Sequence, residues 1–193
     1  MLPYGNGCTP DGEIVCSSIF AVGTSIMNVA LNALNNYPYA NACDAPSIEG
    51  IVTIGRAVGY EPDMLTVALQ NFGPSPGSRD SRGNLPNRVV WRATWQVRLV
   101  ESGWLTFLEA GDDEIVMSPA DLIHANAAYS YSHAEMMYRA LANAVLGRKI
   151  PGACKESSCF ADLADLTPVD PDGHTVGWET SCTVEIDISQ SCS

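Results

Sequence analysis

The chain has 193 residues, 46% of them hydrophobic, which is enough apolar side chain for one buried core and too much for a disordered protein. Its formal net charge of −12, from 22 acidic against 10 basic residues, argues against a grip on nucleic acid, which needs clustered lysine and arginine. An acidic surface instead suits a protein that DNA passes without adhering.

Residues 1–16 are rich in glycine, proline and asparagine and read as a flexible or partner-dependent arm. No basic segment precedes an apolar one there, so the expectation is a soluble intracellular product without an export signal. Residues 19–34 are interrupted by Thr24, Ser25, Asn28 and Asn32 and are too polar to span a membrane. They predict a helix over residues 18–36 instead. Ser17 or Ser18 can cap it, and Ile19, Val22, Ile26, Val29 and Ala33 follow the 3,4,3,4 spacing of one helical face. Asn35 and Asn36 ahead of Tyr37 and Pro38 supply the stop.

Ile51, Val52, Thr53 and Ile54 form a short apolar run between Gly50 and Gly55 that fits a strand or a buried turn of helix equally. Leu65, Val67 and Leu69 alternate with Thr66, Ala68 and Gln70, which predicts a strand over residues 64–72. Residues 73–87 have no periodicity and exceed the usual hairpin loop of about 2–5 residues, so they read as a long loop ordered by a neighbour. Arg79, Asp80, Arg82 and Leu85 are its candidates for assembly contacts.

Residues 88–100 return to strict alternation. Val89, Trp91, Ala93, Trp95, Val97 and Leu99 lie on one side, with Arg88, Arg92, Thr94, Gln96 and Arg98 on the other. Residues 175–188 repeat this grammar, with Val176, Trp178, Thr180, Cys182, Val184, Ile186 and Ile188 against an acid-bearing row that includes Glu179, Glu185 and Asp187. The two stretches predict adjacent long strands, joined by acid–arginine pairs that draw on Arg92, Arg98, Glu179, Glu185 and Asp187. At roughly 3.3 Å per residue such strands approach 40 Å, which suggests an assembly part more than a compact enzyme.

Between these strands, Glu109, Asp112, Asp113 and Glu114 form an acidic run after an apolar clump, read as a solvated loop and a candidate channel or rim. Ser118, Pro119 and Asp121 open a helix that runs to Leu146, with Gly147 as the candidate cap residue. Ser132 and Glu135 form an internal capping box at which that helix can restart. Met136, Met137, Ala140, Leu141, Ala144 and Val145 supply its apolar side. His124 and His133 are nine residues apart and do not share a helical face. Asp170, Pro171, Asp172 and Gly173 form a hairpin turn into the last strand.

The seven cysteines are an odd number, so they cannot all pair within one chain, and they lack the density of a disulfide scaffold and the CxxC spacing of a zinc ribbon. Cys182 falls in the apolar row of the last strand and reads as a small buried hydrophobe. Cys154 and Cys159 are poorly spaced for half of a zinc site, and a disulfide between them is left open. The fold class is α+β, a mixed or antiparallel sheet of long strands with helices packed on one face.

This element order, the polar loop before Arg88, Val89, Val90, Trp91 and Arg92, and the closing Pro168 to Gly173 and Gly177, Trp178, Glu179, Thr180 pattern resemble tail terminator proteins of long non-contractile-tailed actinobacteriophages. The likeness covers residues 17–190 as a pattern of strands and turns, without a chemical motif. It implies a homo-hexameric ring that caps the tail tube, stops the major tail tube protein from polymerising and joins the head-completion or stopper protein. DNA would be passing cargo only. Another neck component of the same assembly, such as a head-to-tail stopper or tail-completion protein, is the alternative reading.

Two rivals come from other classes. A hydrolase or metalloenzyme needs a convergent site, but no nucleophile motif or metal spacing is visible, and no cofactor is expected. A secreted binding module stapled by disulfides needs an export signal.

Overall fold

Two thirteen-residue strands form the middle of the computed structural model, which describes residues 7–8, 14–15, 18–36, 47–55, 63–76, 90–102, 119–169 and 175–187. In chain order the elements are β1 (Gly7–Cys8), β2 (Ile14–Val15), α1 (Ser18–Asn35), β3 (Glu49–Ile54), β4 (Met64–Pro74) and β5 (Val90–Ser102). Then follow α2 (Pro119–Val145), β6 (Ala161–Leu163), β7 (Thr167–Val169) and β8 (Thr175–Asp187). β1 and β2 make a small antiparallel ladder within the segment read as an arm. The other strands form one sheet in the order β3-β4-β5-β8-β6, with β7 also paired to β8. β3 runs parallel to β4 and every other pairing is antiparallel, so the sheet is mixed and the fold is α+β.

Period-2 alternation dictates the layering. In β5, Ala93, Trp95, Val97 and Leu99 are buried, and in β8 so are Cys182, Val184 and Ile186, all on the face that carries both helices. α1 lies over β3, β4 and the edge of β5, α2 lies over β8 and β6, and the two helices touch. Trp95 is the largest fully buried side chain, and its ring fills the space beside Gly23 of α1.

Several local expectations change. The fully buried side of α1 is Val22, Ile26, Ala30 and Leu34, while Ile19 and Val29 of the expected stripe pack partly buried against the same core. A 3,4,3,4 pattern assumes 3.5 residues per turn, and over four turns a straight helix with 3.6 drifts onto the next row. α2 is continuous and does not restart at Ser132, whose hydroxyl donates to the Ala128 carbonyl inside the helix at 2.9 Å. Met137, Leu141, Ala144 and Val145 face the core, while Met136 is 38% exposed.

The cap also moves by one residue. Arg148, at φ 53°, takes the left-handed position, with Arg148 N donating to Val145 O and Lys149 N to Ala144 O. Gly147 is required for a different reason: a Cβ there would meet the Asn143 carbonyl oxygen at 2.3 Å.

β4 continues through Pro74 and Ser75 N donates to Val90 O at 2.9 Å, so residues 73–75 belong to the sheet and its edge rather than to the long loop. A register shift between Leu69 and Asn71 lets Gly73 pair with Arg92 and Pro74 with Trp91. β3 pairs with β4 only as far as Leu69, and beyond that point β4 has no second neighbour among the described residues and tolerates a proline without an N–H. β6 and β7 lie in a stretch that shows no periodicity; three residues are too few to register a period.

Candidate functional site: the polar face of the sheet

The sheet face opposite the helices is polar along its length, because the alternate positions of β5 and β8 carry Arg92, Thr94, Gln96 and Arg98 against Glu179, Ser181, Thr183 and Glu185. The register sets Arg98 across from Glu179 and Arg92 across from Glu185, the acid–arginine pairing that the alternation predicts. At one end, Arg98 Nε and Nη2 donate to Glu179 Oε2 at 3.2 and 3.0 Å. Gln96 Nε2 donates to the same oxygen at 2.9 Å, and Gln70 Nε2 donates to Gln96 Oε1 at 3.1 Å. In the middle, the Thr94 and Thr183 hydroxyls bond at 3.1 Å.

The other end is denser. Glu185 is only 7% exposed, yet it holds a hydrogen bond from the Ser75 hydroxyl, one from Arg92 Nη2 at 3.1 Å and one from Phe160 N at 2.8 Å. The Arg92 guanidinium also stacks over the Phe160 ring, 4.0 Å from its centroid. Burial raises the Glu185 carboxyl pKa, but the Ser75, Phe160 and Arg92 hydrogen bonds and the Arg92 charge outweigh it and hold the group below its ordinary 4.5. The Asp187 backbone pairs with Val90 at the end of the same ladder.

Phe160 reaches this face from residues 150–160, where Cys154 and Cys159 are joined by a disulfide. Cys154 N donates to Glu185 O at 2.7 Å and Glu185 N to Phe160 O at 3.2 Å, so both ends of the disulfide loop are fixed to one residue of β8. Cys182 is fully buried among the core side chains, and burial pushes its thiol pKa up to about 12.

The arrangement recruits Ser75 and Phe160, which the sequence reading left out. It leaves Arg79, Asp80, Arg82 and Leu85, and Glu109, Asp112, Asp113 and Glu114, outside the described residues. Glu179 and Glu185 are used in pairing arginines, so neither presents an unpaired acid. The exposed acids among the described residues lie elsewhere, at Glu49, Asp121 and Glu156 and, on the β6–β7 edge, at Asp162 and Asp165.

A second polar cluster lies on the helix side. Glu101 and His133 are 3% exposed each, and His133 Nδ1 is 2.5 Å from Glu101 Oε1. The Tyr129 ring packs 4.3 Å from the imidazole, and Trp178 Nε1 donates to Ser130 Oγ at 3.0 Å nearby. Asp63, at φ 58°, accepts from Ser102 N and Oγ at the end of the same strand. The sequence does hold a signal for this cluster: Glu101 continues the odd, apolar row of β5, and His133 lies four residues before Met137 on the buried stripe of α2. His124, by contrast, is exposed.

Among the described residues no helix is long and apolar enough to cross a membrane. No protein-family model matches the chain, and no curated protein matches it either.

Proposed function

We propose that this is a structural virion protein, a tail terminator whose copies close into a hexameric ring on the end of a non-contractile tail tube. The observation that carries this reading is the β5–β8 pair. Thirteen consecutive residue pairs join two strands into a stiff plate, with helices on one face and a polar face whose charges are already matched. Such a plate offers a flat surface for docking protein on protein and has no need of a reactive centre. The resemblance in strand order and turn placement supplies the specific assembly, and the tube protein and a head-completion protein are the partners it implies.

The net charge fits a conduit. Six copies carry 6 × −12 = −72, so the ring needs its cations at subunit contacts and its surplus acids apart from one another. Glu109, Asp112, Asp113 and Glu114 are proposed for the channel or rim, where they would repel the DNA backbone. Arg79, Asp80, Arg82 and Leu85 are proposed for the contact with a neighbouring subunit or the tube.

Removing residues 77–87 tests this division of labour, since the cut spares Ser75 and both long strands. The shortened protein is expected to keep its far-ultraviolet circular dichroism and to lose the ability to complement a terminator-defective phage. Full complementation would contradict the assembly role of the segment. If the intact protein rescues head joining but leaves tube length uncontrolled, the stopper reading replaces the terminator one.

A further inference from the structure

The disulfide loop brings together a ligand set that reduction of the disulfide would free. The sulfurs of Cys154 and Cys159 and a carboxylate oxygen of Glu156 all lie within 4.8 Å of one another. We propose that the reduced protein binds one borderline-soft divalent cation of the zinc class through Cys154, Cys159 and Glu156, with water in the fourth position.

The loop is held in shape by bonds that do not involve sulfur. Cys159 N donates to Glu156 O at 3.0 Å and Ala153 N to Ile150 O at 3.2 Å, while Cys154 N and Phe160 O are tied to the backbone of Glu185. Arg148 Nη2 donates to the carbonyls of Ser157 and Cys159, each at 3.1 Å. Opening the sulfur–sulfur bond therefore leaves two thiols facing each other across a fixed loop, with Cα atoms 6.2 Å apart.

A tetrahedral zinc with bonds of about 2.3 Å to sulfur and 2.0–2.2 Å to oxygen needs its ligand atoms roughly 3.5–3.8 Å apart, so once their bond opens the two sulfurs rotate apart while the Glu156 carboxylate closes in. Four residues between the cysteines, poor as a sequence signal for a zinc half-site, still lies at the upper end of the spacing that structural zinc loops use. The charges also close: two thiolates and one carboxylate give −3, and a dication with the Arg148 guanidinium gives +3. Glu156 is exposed and Cys154 half-buried, so an open side remains for water and for entry of the ion.

The oxidised and metal-bound forms exclude each other. A dithiol reductant transfers two electrons and two protons to the Cys154–Cys159 bond, which breaks into two thiols while the reductant closes its own disulfide. The cation then forms two metal–sulfur bonds and releases the two thiol protons to solvent. This site does not depend on the virion reading, since it needs only the loop and its anchor on Glu185.

Cadmium is a suitable probe, because its thiolate charge-transfer absorbance counts the bonds formed. The full chain, reduced with excess dithiothreitol and freed of it under anaerobic conditions, is titrated beside a C154S/C159S variant. The wild type is expected to take up one more equivalent of Cd²⁺ than the double variant, and zinc is expected to displace it. Air-oxidised wild type is expected to lack that equivalent. Glu156→Gln alters only an exposed side chain and is expected to keep the equivalent with affinity lowered at least about tenfold. Equal uptake by wild type and double variant, or unchanged affinity in Glu156→Gln, would overturn the proposal.

Discussion

The two faces of the sheet use the same chemistry to opposite ends. Under the helices, Glu101 and His133 are an acid–base pair sealed among apolar side chains. On the open face, Arg98 and Glu179 are an acid–base pair with side chains 15% and 31% exposed. Water screens the second pair and supplies alternative partners when one member is lost; the first pair has no such relief. The open-face ladder therefore sets register more than stability. A one-residue slip would send Trp91, Trp95 and Trp178 to the wrong side and Arg92 and Arg98 into the core.

The largest expected effect comes from breaking the sealed pair. His133→Ala leaves the Glu101 carboxylate buried, with its Oε2 lacking a hydrogen-bond partner among the described residues, and should lower unfolding free energy by about 3 kcal/mol. Replacing both residues with leucine should recover much of that loss, because the cost lies in the stranded charge. Urea denaturation of the three proteins decides it, and a double variant as unstable as the single one would show that the pair itself is stabilising.

Next comes packing on the same face. A Cβ on Gly23 would lie 2.6 Å from Trp95 Cη2, so Gly23→Ala must push α1 or the indole aside. The expected cost is about 1–3 kcal/mol, read as a fall in thermal midpoint with loss of near-ultraviolet dichroism from the displaced tryptophan.

Glu185 sits between the two extremes, on the open face but buried beneath Phe160. Its folded pKa is depressed, so its contribution is fully present above the ordinary 4.5 and is lost as pH falls through the lower folded value. Stability measured from pH 6 down to pH 2 should fall more steeply in the wild type than in Glu185→Gln. Parallel curves would remove Glu185 from the acid-sensitive groups. The smallest effect is expected at the exposed end, where Arg98→Ala should cost no more than about 1 kcal/mol, and less in high salt.

The long strands were legible because fourteen or so residues of strict alternation leave no other reading, and their charge rows carried the cross-strand pairing with them. What escaped the sequence was set by distant parts of the chain. Pro74 reads as a loop residue until it is known that β3 stops short of it and leaves β4 no second neighbour there among the described residues. The cap at Arg148 depends on carbonyls nine and eleven residues away that hold its side chain. Glu185 looks like any surface acid of an alternating strand, and only the return of residues 154–160 over it makes it buried. Glu101 was readable from the parity of β5, but its partner lies on another element, 32 residues further along the chain.

Electron microscopy of tail tubes assembled from the tube protein in the presence of this chain tests the central claim most directly. The account predicts a sixfold ring of this protein on one end of each tube and a halt to tube growth once it is added. Tubes that keep lengthening with bare ends, while the protein stays in solution, would contradict it.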